Sequence, residues 1–398
     1  MIGASGDSGA SGSSRSSLTE VAATFLRLGL TAFGGPAAHL GLMRESFVRR
    51  RGWLDDATFL DLVGLSNLIP GPTSTELAMH IGHRRAGWPG FLVAGIAFIA
   101  PAVVLVLALA WMYVAYGSRP EATSILAGIA PVVIAIVANA GVGLGRAALR
   151  TPLLVAVAAA VIVGSLVGVS EILLLLAGGA FTLTVAEATR RVPAPGADKG
   201  GAAALGWLGG GRLVAAAGVI AAVAPLAILL EFLKIGAVVF GSGYVLVALL
   251  RTELVTDLHW ITDSQLLDAV AVGQLTPGPV FSTGTFIGYL IGGPTGAAAA
   301  TVGIFLPAFA FVALSVVLLD RLRASRRARA FLDGVNAAAV ALIVVVAAGL
   351  MSAVRDDVPS VALAAGALAI LSLGRVGAAW LILAGATIGL VRLVLGVP

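Results

Sequence analysis

Between Ala269 and Leu319 the chain carries no charged side chain, and the runs Ala86–Ser118, Ala122–Gly145, Thr151–Ser170, Leu213–Leu230 and Gly334–Val354 are equally bare. A helix needs about 20 apolar residues to cross the hydrocarbon layer of a bilayer, so these runs imply at least six crossings. Of the 398 residues 59% are hydrophobic and 11% charged, too few to give a soluble protein its polar surface. Glycine and alanine dominate the runs, which suits helices packed closely in lipid and not the alternating strands of a barrel. The expectation is an all-α polytopic membrane protein of about ten transmembrane segments, some broken or re-entrant. The Ala, Gly, Val and Arg usage suggests a bacterium with a GC-rich genome, so the expected location is a bacterial cell membrane, crossed several times.

The chain also repeats itself. At a constant offset of 207, Phe25 and Leu26 match Phe232 and Leu233, Phe33 and Gly34 match Phe240 and Gly241, and Trp53 matches Trp260. Asp56 matches Asp263, Asp61 matches Asp268, and Pro70-Gly71-Pro72 matches Pro277-Gly278-Pro279. After one deletion the offset becomes 206, pairing Pro101 with Pro307 and Gly128 with Gly334. Homologous apolar halves with matching Gly/Pro interruptions are the sequence mark of repeat-built transporters, and the interruptions point to the transport site. The expected layout is a flexible Gly/Ser-rich tail (1–18), a first membrane repeat (19–190), a linker (191–212) and a second membrane repeat (213–398) that opens with a linking helix. The tail lacks the hydrophobic core and cleavage site of a signal peptide.

Arginine placement orients the halves. "RESFVRRRGW" carries four Arg and its mate "RTELVTDLHW" one, whereas further on "YGSRPE" carries one and its counterpart "DRLRASRRAR" five. Arginine-rich short loops stay cytoplasmic, so equivalent loops lie on opposite faces and the repeat is inverted. Arg49 to Arg51 precede the first Pro-Gly-Pro and Arg84-Arg85 follow it, which predicts a re-entrant hairpin that keeps both clusters inside. The net charge of +5 comes largely from such clusters, so it is read as topology and no nucleic-acid partner is expected.

Pro70 and Pro72 end one helix and leave backbone groups without helical partners. Thr73, Ser74 and Thr75 are suited to cap the next half-helix, whose N-terminus offers free N–H groups and the positive end of a dipole: an anion site. The second half repeats it at Pro277, Gly278 and Pro279, with Gln274, Ser282 and Thr283 as uncharged donors. Glycine breaks in "AFGGPAAH" and "VFGSGYVL" let the backbone approach a small ion. Arg27 and Lys234 hold equivalent mid-segment positions; such cations mark ion pathways, or snorkel from helix ends. Glu76 and His80, four apart, read either as a polar pair that steadies a helix or as a proton-coupling pair. Thr283 stands where Glu76 would recur, so the halves contribute unequally.

The chain has no cysteine, which excludes thiol redox centres, thiolate metal sites and disulfides. Of its four histidines, His39, His80, His83 and His259, only His80 and His83 are one helical turn apart, and they read more simply as a polar helix end than as a metal site. No catalytic residue, metal or cofactor is expected.

In "FGGPAAHLGLM", "IPGPTSTELAMHIGHRRAGWPGFLVAGIAFIAP", "FGSGYVLVALL", "QLTPGPVFSTGTFIGYLIGG" and "FLDGVNAAAVALI" the chain resembles the chromate ion transporter family, whose long members are fused tandem repeats. The resemblance runs from about Thr24 to Leu350. It implies a carrier that exports chromate and confers chromate resistance, with an ambiguous relation to sulfate, a dianion of the same shape and charge. The family's Gly-Gly-Pro element falls on Gly34, Gly35 and Pro36 and its following histidine on His39. Its Pro-Gly-Pro falls on Pro70, Gly71 and Pro72, and the residues after it on Ser74, Thr75, Glu76 and His80. The second half departs from this pattern with Gly241, Ser242 and Gly243 in place of Gly-Gly-Pro.

Two alternatives stand beside chromate export: a carrier of sulfate or another oxyanion working in uptake or exchange, and an intramembrane enzyme, for which only Glu76 with His80 approaches a reactive cluster. The partners expected are a chromate- or sulfate-like dianion, membrane lipid and a coupling proton, with a homodimer as one open assembly.

Overall fold

Asp55 caps one helix by accepting the Thr58 amide at 2.6 Å, and Thr262, its repeat mate, caps another by accepting that of Gln265 at 3.2 Å. Such paired signals recur throughout the computed structural model, which describes residues 9–33, 35–189, 223–240, 243–324, 326–352, 354–355, 357–374 and 376–395. In the first repeat these residues form α1 (Gly9–Thr31), α2 (Gly35–Arg44), a π-helical turn (Glu45–Arg50), α3 (Asp56–Ser66), α4 (Thr73–Tyr116), α5 (Pro120–Ala148), α6 (Pro152–Leu166) and α7 (Glu171–Ala188). The second repeat supplies α8 (Pro225–Val238), α9 (Gly243–Leu250), a π-helical turn (Arg251–Asp257), α10 (Asp263–Leu275), α11 (Thr283–Ala324), α12 (Arg326–Met351), α13 (Val358–Ser372) and α14 (Ala378–Leu395).

Both α4 and α11 are broken helices. The breaks fall at Ala86-Gly87 and Gly292-Gly293, where Gly87 (φ 63°) and Gly293 (φ 60°) take the left-handed backbone that a side chain disfavours. Beyond each break the chain folds back on itself: a Cβ on Gly82 would strike the Gly90 carbonyl, and one on Gly288 that of Gly296. Residues 73–85 and 283–291 are therefore half-helices, each followed by a full-length span.

Contacts between distant charges fix the topology. Glu20 accepts Arg85 at 2.9 Å and meets Arg51 at 3.6 Å, and both guanidinium groups lie over Trp53. Arg51 and Arg85 thus share a face, so α3 and the half-helix 73–85 form the re-entrant hairpin read from the arginines. From Glu20 on α1 the chain runs through α2 and the π-helical turn to Arg51, which meets the same carboxylate, so this stretch too leaves from and returns to that face. From Gly87 the chain crosses the layer and α5 brings it back. Arg327, at the start of α12, meets Glu187 at 2.9 Å on this first face. At the other end of α12, Gly349 lies against the Arg251 guanidinium, and Thr252 donates to Glu171 at 2.7 Å. The equivalent ion pairs Arg44–Asp56 and Arg251–Asp263, both with a 2.7 Å contact, consequently occupy opposite faces. The repeat is inverted, and its arginine-rich first face is the cytoplasmic one.

Six described helices are long and apolar enough to cross a membrane, and residues 152–166 and 358–372 form two shorter apolar ones. They pack through small residues: Gly128 lies against the backbone of Gly385, and its mate Gly334 against that of Gly178. The expected tail is helical from Gly9, because the helix built on buried Val21, Phe25 and Leu28 propagates outward. The linker and most of the linking helix lie in 190–222, outside the described residues, as do Gly34, Gly241 and Ser242.

Candidate functional site

The two Pro-Gly-Pro elements are each held by the opposite repeat. The Gly71 amide donates to the Val239 carbonyl at 2.7 Å, and the Gly278 amide to the Ala32 carbonyl at 2.9 Å. Ala32 and Val239 stand at equivalent positions, so the interaction is reciprocal. The Ala32 oxygen also accepts His39 Nε2–H at 3.0 Å, which ties the imidazole to the same junction. Pro72 and Pro279 have extended backbone, and no side chain caps the helix starts that follow them. Their first N–H groups therefore point out of the helix ends toward the repeat boundary.

Around this boundary His39, Pro72, Thr73, Ser74, Gly243, Val280 and Phe281 line a narrow cavity with room for about one water molecule. Of its lining side chains His39 has an unpartnered nitrogen, and further unpartnered polar atoms lie on nearby residues of the same segments that do not line it. Thr75 Oγ1, Gln274 Nε2, Ser282 Oγ, Thr283 Oγ1 and His39 Nδ1 are all buried without a hydrogen bond. A buried donor left unpaired costs about 1–3 kcal/mol, so an acceptor would relieve the hydroxyl and amide groups among them, whereas His39 Nδ1, with the ring proton on Nε2, is itself an acceptor. The helix-end dipoles add partial positive charge on the same spot.

Glu76 lies one turn into the half-helix, fully buried, with neither carboxylate oxygen hydrogen-bonded. Its Oε1 sits over Gly71, where a Cβ would collide with it. Thr283, at the position of Glu76, instead places its hydroxyl against Gly273, whose repeat mate is Ser66 and not Gly71. His80, a turn further on, has Nε2 at 3.4 Å from Ser315 Oγ of α11.

The structure thus brings His39, Pro72, Thr73, Ser74 and Gly243 together with Val280 and Phe281, and ties Gly71 and Gly278 to the opposite repeat. Thr75, Glu76, Gln274, Ser282 and Thr283 are buried but do not line the cavity. Gly35 and Pro36 open α2. Arg27 is exposed on α1, and Lys234 is held by Glu231 at 2.7 Å and Glu253 at 2.6 Å; neither lines the cavity. Sequence reasoning passed over two features. Asp268, buried on α10, accepts the Tyr113 hydroxyl of α4 at 2.8 Å; an acid inside the apolar stretch "LLDAVAV" was its signal. Asn67, exposed at the inner end of α3, gave none.

The chromate transporter family profile matches residues 19–183 and 226–390, one copy on each repeat. The chain belongs to the chromate transporter family. It is 34% identical to the chromate transport protein of Cupriavidus metallidurans over 94% of its own length and 93% of the relative's. To the chromate transport protein of Pseudomonas aeruginosa it is 33% identical, over 86% and 83% of the two chains. An uncharacterized transporter of Methanocaldococcus jannaschii is 26% identical over 75% of this chain and 76% of its own. No solved structure matches. Within this family of transporters the two inverted halves and their apolar helices describe a multi-pass membrane protein.

Proposed function

We propose that the chain exports chromate across the cytoplasmic membrane, out of the cell, and so confers chromate resistance. The observation that carries this reading is the meeting of two helix N-termini at one repeat boundary, with unpartnered hydroxyl and amide donors buried on the neighbouring residues of both repeats. Four oxygens on a tetrahedral dianion accept from several directions at once, which matches donors arriving from both repeats. The donors are mostly uncharged, so the anion is held by many weak bonds and can leave again. The cavity is too small for the ion in this conformation, so binding goes with an opening toward one face, as in other inverted-repeat carriers. A cell interior that is electrically negative assists exit of a dianion by about 2.3 kcal/mol per charge per 100 mV. Glu76 serves as the coupling group: an unpaired buried carboxylate is costly, and a proton removes that cost.

The test is radiolabelled chromate accumulation in everted membrane vesicles, with empty vesicles beside them and excess sulfate as competitor. Accumulation above the empty vesicles, reduced by sulfate, is the expected result. Absence of accumulation, with sulfate flux in the opposite direction, would overturn export in favour of an uptake carrier.

A further inference from the structure

Asn67 and Gln274 hold the same position in the two repeats, at the inner end of the helix leading to each Pro-Gly-Pro. Asn67 is nevertheless exposed and Gln274 buried. The exposure comes from a cleft of about 480 Å³ between α3, α5 and α6 of the first repeat and α9 and α12 of the second. Its polar lining is Asn67, Arg150, Thr151, Asp333 and Asn336. Arg150 and Thr151 join α5 to α6 on the cytoplasmic face, and Asn67 lies at mid-membrane depth, so the cleft runs from that face to the repeat boundary. Its volume is that of a ligand site.

The inner wall is thin. Phe240 and Val245 face the cleft, while Gly243 between them lines the cavity beside His39 and Ser74. The two spaces are thus bordered by Phe240, Gly243 and Val245, neighbours in the chain. Two of the polar positions are apolar in the other half, with Ala127 standing for Asp333 and Ala130 for Asn336, whereas Gln274 stands for Asn67 and Asp356 and Asp357 for Arg150 and Thr151. The outward counterpart therefore lacks the polar residues that α12 supplies here and carries acids where this cleft has Arg150 and Thr151, a lining unsuited to an anion. Arg150 lies within electrostatic reach of Asp333, which leaves the cleft nearly neutral and its hold on an anion weak.

We propose that this cleft is the cytoplasmic antechamber of the carrier: a small hydrated inorganic dianion binds there through Arg150, Thr151 and the amides of Asn67 and Asn336 before it moves on to the cavity that Gly243 borders. The inference rests on the carrier reading above and adds a second binding place to it.

The chain has no cysteine, so Asn67→Cys and Gln274→Cys each introduce a single thiol. A membrane-impermeant maleimide is applied to everted and to right-side-out vesicles, with sulfate and molybdate as probes because thiols reduce chromate. Asn67→Cys is expected to label from the cytoplasmic face alone, several-fold more slowly under saturating dianion, and Arg150→Gln in that background is expected to remove the protection. Gln274→Cys is expected to stay unlabelled from the cytoplasmic face. Labelling of Asn67→Cys from outside, or at a rate that neither dianion changes, overturns the proposal. If Asn67→Cys does not accumulate in the membrane, Asn336→Cys carries the same expectations. Chromate flux without dianion protection sinks the antechamber alone; protection without chromate flux sinks the chromate reading and leaves the antechamber standing.

Discussion

The hydroxyl of Tyr113 donates to the carboxylate of Asp268 at 2.8 Å, joining α4 of one repeat to α10 of the other. The Tyr113 ring packs edge-on against Phe286, so the bond is shielded on one side by an aromatic wall. Tyr113→Phe strands the buried acid and is expected to lose about 1–3 kcal/mol of stability. A melting curve in detergent reads this as a lowered midpoint. A midpoint equal to that of the intact protein contradicts the assignment of Asp268 to this bond.

Glu76→Gln keeps the shape of the side chain and removes its ability to ionise. Chromate accumulation in everted vesicles is expected to lose its dependence on an imposed proton gradient, with the protein still present in the membrane at its normal level. Gradient dependence unchanged in the variant would reduce Glu76 to a structural residue.

Helix contact through bare backbone makes a sharper forecast. A Cβ on Gly128 would meet the Gly385 carbonyl, and one on Gly334 that of Gly178. Gly128→Ala and Gly334→Ala are each expected to destabilise by about 1–3 kcal/mol through overpacking. Gly366 has open space around it, and Gly366→Ala is expected to stay within about 0.5 kcal/mol of the parent. The three midpoints, measured together, check the geometry. Equal effects at all three sites refute it.

Asp55 caps α3 outside the membrane, and the Thr58 amide it accepts holds its carboxyl below the usual carboxylate range. A lowered folded value means stability that is present above the unfolded value, about 3.9, and is lost as pH falls through the folded one. The melting-point gap between the intact protein and Asp55→Ala is therefore expected to hold steady from neutral pH to about 5 and to narrow below about 4. A gap that widens on acidification would reverse the sign.

Much of this architecture could be read from the chain. The repeat offset paired Pro70-Gly71-Pro72 with Pro277-Gly278-Pro279, and arginine counts gave the inversion and the hairpin, because both signals run along the chain. What lies around a helix is harder to read. Lys234 has Glu231 one turn behind it, which the spacing offered, but Glu253 reaches it only through the fold. Asp61 and Asp268 match in sequence, yet one is exposed and the other buried, because the packing around the two repeats is not identical. Asn67 has the same difficulty: its access to a cleft depends on α5, α9 and α12, which are distant in the chain.

The reciprocal bonds from Gly71 to Val239 and from Gly278 to Ala32 have a consequence for ancestry. A polypeptide ending after the first repeat would carry the Gly71 donor and the Ala32 acceptor without a mate for either. Two copies of such a half, inserted into the bilayer upside down with respect to one another, would satisfy both. Gene fusion then does little chemistry of its own; it guarantees that each half finds its antiparallel sibling, and it frees Glu76 to exist on one side and Thr283 on the other.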